Sequence, residues 1–285
     1  MIEFGTTSED KSYSFPSRID EFSPGQFLQF LAAYKKLMDK EISYHDFKII
    51  MLFHLLDIRG YHTYYRAVAN DQKVKIQENV FRLSEQLNDL FKADKDDDGN
   101  IKLSIDFSSW MTNLLPKYKG YIGPADMFSD VVGMEYKQVY VASNQFIKTQ
   151  KVDYLNEICA LLYRKPLLPF MEKPAFDSGN VAGINKKVSR WPYHVKYGVF
   201  LNFMAFQYQL KHNTFNLDGI DVCFAPLFSG SGSESKVGLT AVFYTLAESK
   251  VFGNLAETSN QNIYDILYRL YQLHVTYLEQ KSKKK

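Results

Sequence analysis

What most constrains this chain is the repeated return of apolar residues at helical spacing through both halves of its 285 residues. Phe27, Phe30, Leu31, Tyr34 and Leu37 fall on one face at a 3.6-residue period. Phe47, Ile50, Met51, His54 and Leu55 repeat the pattern. A strand alternates its side chains with a period of two, so stripes of this kind exclude a predominantly sheet protein. Start signals precede both stripes. Ser23-Pro24 supplies a capping hydroxyl and a proline suited to a first helical turn, and Ser43 is followed three residues on by Asp46.

Further stripes predict the remaining helices. Val80, Leu83, Leu87, Leu90 and Phe91 imply a helix over 76–92, and Val131, Met134, Val139, Ala142 and Phe146 imply one over 130–148. Leu155, Ile158, Cys159 and Leu162 share a side over 152–163, and helices are expected over 180–190, 192–212, 236–249 and 262–280. His274 lies on the last of these stripes, and both it and His54 read as hydrogen-bonded core residues. Pro166, Pro169 and Pro174 break helicity and predict a stiff, exposed segment, because proline removes a backbone donor and fixes φ. The expected class is mainly α, an irregular fold of eight to ten helices with one or two short strands or a β-hairpin. Its organisation reads as an N-terminal arm over 1–22, a helical subdomain over 23–115, a second over 116–280 packed on the first, and a basic tail over 281–285.

Composition narrows the function. Hydrophobic residues at 46% and charged residues at 23% suit a chain with a core, not a disordered one. Twenty-two Phe and twenty Tyr favour a broad protein interface, since such rings are apolar on one side and tolerate water on the other. Net charge is +2 with no basic stripe before Lys281-Ser282-Lys283-Lys284-Lys285, so nucleic-acid binding is not indicated. Residues 49–56 and 195–206 are the most apolar stretches and fall short of the roughly twenty needed to span a bilayer, so no membrane is expected. Met1 is not followed by a basic and then an apolar segment, so no secretory leader is expected. Cys159 and Cys223 read as reduced core thiols.

One segment suggests metal chemistry. Asp94, Asp96 and Asp98 place carboxylates at the first, third and fifth positions of a helix-loop-helix calcium loop, with Gly99 at the sixth and Asn100 at the seventh. The twelfth position, which should supply a bidentate glutamate, is Ile105. The helix before the loop is also out of phase, because Gln86 and Asp89 occupy positions that should be apolar. Ile101, Leu103 and Ile105 alternate with Lys102 and Ser104 and predict a strand where an exiting helix should begin. A solvated turn between a helix and a strand is therefore expected, with a degenerate EF-hand-like calcium site at Asp94, Asp96, Asp98 and Asn100 as the alternative.

Other chemistry lacks its spacing. The six histidines form no HxxxH or HExxH pair, and Ser229 to Ser235 has neither the order of a phosphate-binding loop nor that of a nucleophile elbow. Trp191-Pro192-Tyr193 and Tyr64-Tyr65-Arg66 read as packing clusters. No catalytic residues and no cofactor are expected.

Four segments carry a resemblance: Asn113-Leu114-Leu115-Pro116, Tyr121-Ile122-Gly123-Pro124-Ala125-Asp126, Glu135-Tyr136, and Leu155 through Pro166. Together with Glu21-Phe22-Ser23-Pro24-Gly25-Gln26-Phe27 and Phe252-Gly253-Asn254 before the final helix, they resemble phage and prophage proteins of Bacteroidetes-type hosts from virion and tail morphogenesis regions. The resemblance implies a non-enzymatic structural or assembly protein, one co-folded unit over roughly residues 20 to 280, and other phage structural or assembly proteins as partners. It also implies residence in the host cytoplasm during assembly, or in the virion.

Overall fold

The computed structural model describes residues 2–5, 12–58, 66, 69–95, 101–217, 219–228 and 238–283. The chain divides into two compact units, Met1–Trp110 and Met111–Lys285. Among the described residues there are eleven α-helices and four two-stranded antiparallel hairpins. The class is the mainly α one the stripes predict, with more hairpins than expected.

In the first unit, hairpin β1 (Ile2–Gly5) and β2 (Ser12–Phe15) is followed by α1 (Pro24–Met38) and α2 (Tyr44–Leu55). Both helix starts are closed by capping boxes, Ser23 with Gln26 and Ser43 with Asp46, each satisfying two otherwise orphaned backbone donors. Phe30 is the hub of the core. Its ring lies 5.8 Å from Phe22, 5.6 Å from Tyr34, 5.9 Å from Phe47 and 6.2 Å from Phe91. Phe15, Ile19 and Phe22, assigned by sequence to a polar arm, are buried. The phase of α2 differs slightly from its predicted stripe, since Leu52 is buried and His54 is exposed.

The helix expected over 76–92 is displaced. Instead α3 spans Asn70–Ser84, a 3-10 segment covers Glu85–Leu90, and Phe91–Lys95 is strand β3, paired with β4 (Ile101–Ile105). Phe91 is the reason: as a strand residue it turns a buried ring onto Phe30, Tyr34 and Phe47, a packing gain that outweighs local helical preference.

The second unit is built round α7 (Tyr193–His212), which buries Val195, Val199, Phe203, Phe206 and Leu210 together with polar Asn202 and Gln209 on other sides. A helix buried on nearly all faces is a core helix. Around it lie α4 (Gly133–Thr149), α5 (Val152–Leu162) and α6 (Val181–Val188). Left-handed Gln150 ends α4 and turns the chain directly into α5, so the two are antiparallel neighbours. Hairpin β5 (Lys117–Tyr118) with β6 (Tyr121–Ile122) turns through Lys119 and Gly120 at positive φ. Residues 213–223, beyond the helix predicted over 192–212, contain hairpin β7 (Thr214–Leu217) with β8 (Ile220–Cys223).

Beyond these come α8 (Ala225–Phe228), α9 (Gly238–Glu248), α10 (Leu255–Ser259) and α11 (Ile263–Ser282). Phe243, Leu246 and Ile266 form a small cluster joining α9 to α11. The start of α11 is tied to the start of α4 by Gly133 N to Gln261 O at 2.9 Å and Ile263 N to Val131 O at 3.0 Å. A side chain at Gly133 would meet Phe243 Cε1 at 2.6 Å, so this crossing requires glycine. Among the described residues no helix is long and apolar enough to cross a membrane.

Candidate functional site

The site with the most chemistry begins where α5 ends. Pro166 cannot continue the helix, and the two residues before it turn into extended backbone. Arg164 then pairs with Ile122 in both directions, N to O at 3.0 Å and O to N at 2.9 Å, which joins the end of α5 to hairpin β5–β6. Its side chain turns inward. Nη1 and Nη2 meet Glu135 Oε1 and Oε2 at 2.9 and 3.0 Å, Nη1 also donates to Leu161 O at 2.9 Å, and Nε donates to Pro174 O at 2.8 Å. The guanidinium lies 5.6 Å from the centre of the Phe176 ring.

Glu135 occupies the first turn of α4, where the helix dipole favours an anion, and its side chain is wholly buried. Lys173 completes the charge set. Its Nζ is 2.9 Å from Asp130 Oδ2 and 3.8 Å from Glu135 Oε1. Two cations and two carboxylates therefore neutralise one another. Burial pushes the Glu135 carboxyl upward, against the Arg164 hydrogen bonds and the Lys173 and Arg164 charges. Burial likewise lowers Lys173, against the attraction of Glu135.

A second hydrogen-bond network holds the wall beside it. Asn113 Nδ2 donates to Pro124 O at 2.6 Å, Asn113 Oδ1 accepts from Leu115 N at 2.9 Å, and Asp126 Oδ1 accepts from Asn113 N at 2.7 Å. The Tyr163 hydroxyl donates to Leu115 O, while its ring stands at right angles to Trp191 with 5.4 Å between centroids. A Cβ on Gly123 would come within 2.7 Å of Tyr163 Cζ, so only glycine lets this strand pass the ring. The four segments singled out in the sequence, around Asn113, Gly123, Glu135 and Arg164, are thus one assembly.

What this assembly holds is the loop from Lys165 to Lys173. Arg164 Nε and Pro174 O close its base, Lys173 ties its return to Asp130, and Met171 N bonds Leu168 O inside it at 3.1 Å. Pro166 is buried as a footing. The tip is apolar and open to solvent: Leu167 is 90% exposed, Phe170 83%, Leu168 48% and Met171 44%. Contiguous apolar surface of this kind on a folded protein marks an interaction site, because water orders around it at a cost that a partner removes. On one side of the tip is a hollow of about 320 Å³ lined by Lys117, Gly120, Ile122, Lys165, Leu167 and Pro169. A cleft of about 300 Å³ has Tyr121, Arg164, Lys165, Phe176 and Lys187 in its walls.

The acidic loop falls elsewhere. Asp94 belongs to β3, with its backbone opposite Lys102. Asp96, Asp98 and Asn100 lie outside the described residues, as do the 229–237 segment with its serines and glycines, Tyr64 and Tyr65. The loop joins two strands of a hairpin, not a helix and a strand, and Ile105 at the twelfth position is buried opposite Phe91. Among the described residues no three His, Cys, Asp or Glu side chains converge on a common point that could hold a metal ion. Cys159 is a buried free thiol that burial pushes far upward, and Trp191 is packed by Tyr118, Tyr121 and Tyr163.

Sequence reasoning missed the Glu135–Arg164–Lys173 clamp, although a signal was present. Glu135 lies on the stripe Val131, Val139, Ala142 and Phe146, and a carboxylate on a buried face demands a cation. Lys48 on α2 and Lys196 on α7 are likewise charges on buried faces that find polar partners. Lys48 meets Glu85 and Asn88, and Lys196 donates to Asn156 Oδ1 at 2.8 Å.

Compared with protein-family models, with curated proteins and with solved structures, the chain has no match.

Proposed function

We propose that this chain is a non-enzymatic binding protein and that the loop from Lys165 to Lys173 is the surface it binds with. One observation carries this reading: four large apolar side chains stand in solvent on a loop whose base is clamped by a buried charge cluster. A loop fixed before binding loses little entropy when it docks, so its apolar area converts efficiently into affinity. The hydrogen bonds of Arg164 and the ion pairs of Lys173 end on protein acceptors, which supports a bracing role for them over a catalytic one. The resemblance of the segments that build the clamp adds the biological setting, in which the partners are structural or assembly components of a phage virion or tail, met in the host cytoplasm.

Purification of the tagged chain from cells making the whole phage tests this. Stoichiometric co-elution of a virion or tail component, lost in the Leu167→Ser/Phe170→Ser variant, is the expected result. Elution of the chain free of any such component overturns the assembly reading.

A further inference from the structure

The chemistry around the loop also specifies what it docks into, given that it is a binding surface as proposed above. We infer that the partner is a protein presenting an apolar groove whose rim carries carboxylates on the side that meets Lys117 and Lys165.

The tip is convex, so its complement is concave. Leu167, Leu168, Phe170 and Met171 have the chemistry of anchors for an apolar floor. Charge then orients the contact. Lys117 and Lys165 both line the hollow beside Leu167, and no carboxylate lines it with them. Both lysines are exposed, and neither has a carboxylate within ion-pairing distance among the described residues. Lys173, in contrast, is spent on Asp130 and Glu135. The single acid of the segment, Glu172, is exposed and adjoins Lys173. The charge beside Leu167 is therefore positive and, among the described residues, unpaired. Unpaired positive charge beside an apolar anchor suits a groove whose rim carries carboxylates on that side, where the charge sets orientation and association rate. An anionic lipid surface would reward a basic collar on all sides, which Glu172 breaks.

Site-specific photo-crosslinking of the full chain tests this. Benzoylphenylalanine replaces Leu167 in one variant and Phe170 in another, each made in cells producing the whole phage, and the crosslinked peptides are mapped. Both positions should mark the same segment of one polypeptide, apolar and with Asp or Glu within a few residues. Reversing the charge with Lys117→Glu/Lys165→Glu should lower crosslink yield about tenfold at low salt, and less at high salt, where the steering field is screened. Changing the partner's acid to Lys should restore it. A circular dichroism melt of each variant shows that it is folded. Crosslinks to lipid, to a second copy of the chain, to unrelated proteins in proportion to abundance, or none at all, overturn the inference, as does a yield indifferent to charge reversal. A groove of this chemistry on a protein that is no phage component supports the inference while overturning the assembly reading.

Discussion

Arg164 grips Glu135 through two parallel hydrogen bonds, Nη1 to Oε1 at 2.9 Å and Nη2 to Oε2 at 3.0 Å, with the carboxylate fully withdrawn from water. The pair joins the start of α4 to the end of α5, and through Pro174 it closes the base of the apolar loop. Removing one partner strands the other's charge in a low-dielectric interior. Arg164→Met should therefore cost about 3 to 5 kcal/mol in urea unfolding. Adding Glu135→Leu to it should recover part of that loss, because the buried charge is then gone. A single-variant cost below about 1 kcal/mol would mean that the pair is not the brace described.

At Gly123 the backbone passes close against a fixed ring, that of Tyr163. Tyr163 cannot swing aside, since its hydroxyl bonds Leu115 O and its face meets Trp191. Gly123→Ala should destabilise by about 1 to 3 kcal/mol, the usual range for overpacking. Gly25, which has nothing within 4 Å of a built Cβ, is the control for generic glycine effects.

In the first unit, Lys48 is buried and donates to the Glu85 carboxylate. This hydrogen bond is the chief cause holding the Glu85 carboxyl below its ordinary 4.5. A carboxyl depressed in the folded state stabilises fully above its unfolded pKa, and loses that contribution as pH falls through the folded value. Urea titrations from pH 6 to pH 3 should show a fall in stability on the acid side that is smaller in Glu85→Gln. Identical slopes in both proteins would remove Glu85 from the account.

Calorimetric titration with calcium should give no saturable heat at millimolar metal. Ile105 stands where a bidentate glutamate belongs, and its side chain is buried opposite Phe91. A saturable isotherm abolished by Asp94→Ala would reinstate a calcium site.

Period and capping residues make the helices legible in the sequence. Ser23, Ser43 and the stripes on α4, α5 and α7 act locally, and the elements they predict are present within a few residues. Strand β3 was hidden because Phe91 continues a helical stripe, and its fate was decided by distant Phe30, Tyr34 and Phe47. Pro166, Pro169 and Pro174 announced a stiff exposed segment, and the structure shows Leu167 and Phe170 standing out from it. Its brace was harder to foresee. Glu135, Arg164 and Lys173 are far apart in sequence, and only the antiparallel packing of α4 on α5 brings the first two together.

The central claim is that the loop binds and the clamp only holds it in place. Leu167→Ser/Phe170→Ser alters side chains that are almost fully in solvent, so folding stability should stay within about 0.5 kcal/mol of the parent. The test compares recovery of the proposed virion or tail partner with this variant and with the parent chain, each co-produced with such components. Loss of the partner from a variant that unfolds at the parent's urea midpoint is the expected result. Undiminished partner recovery with the doubly substituted loop would contradict it.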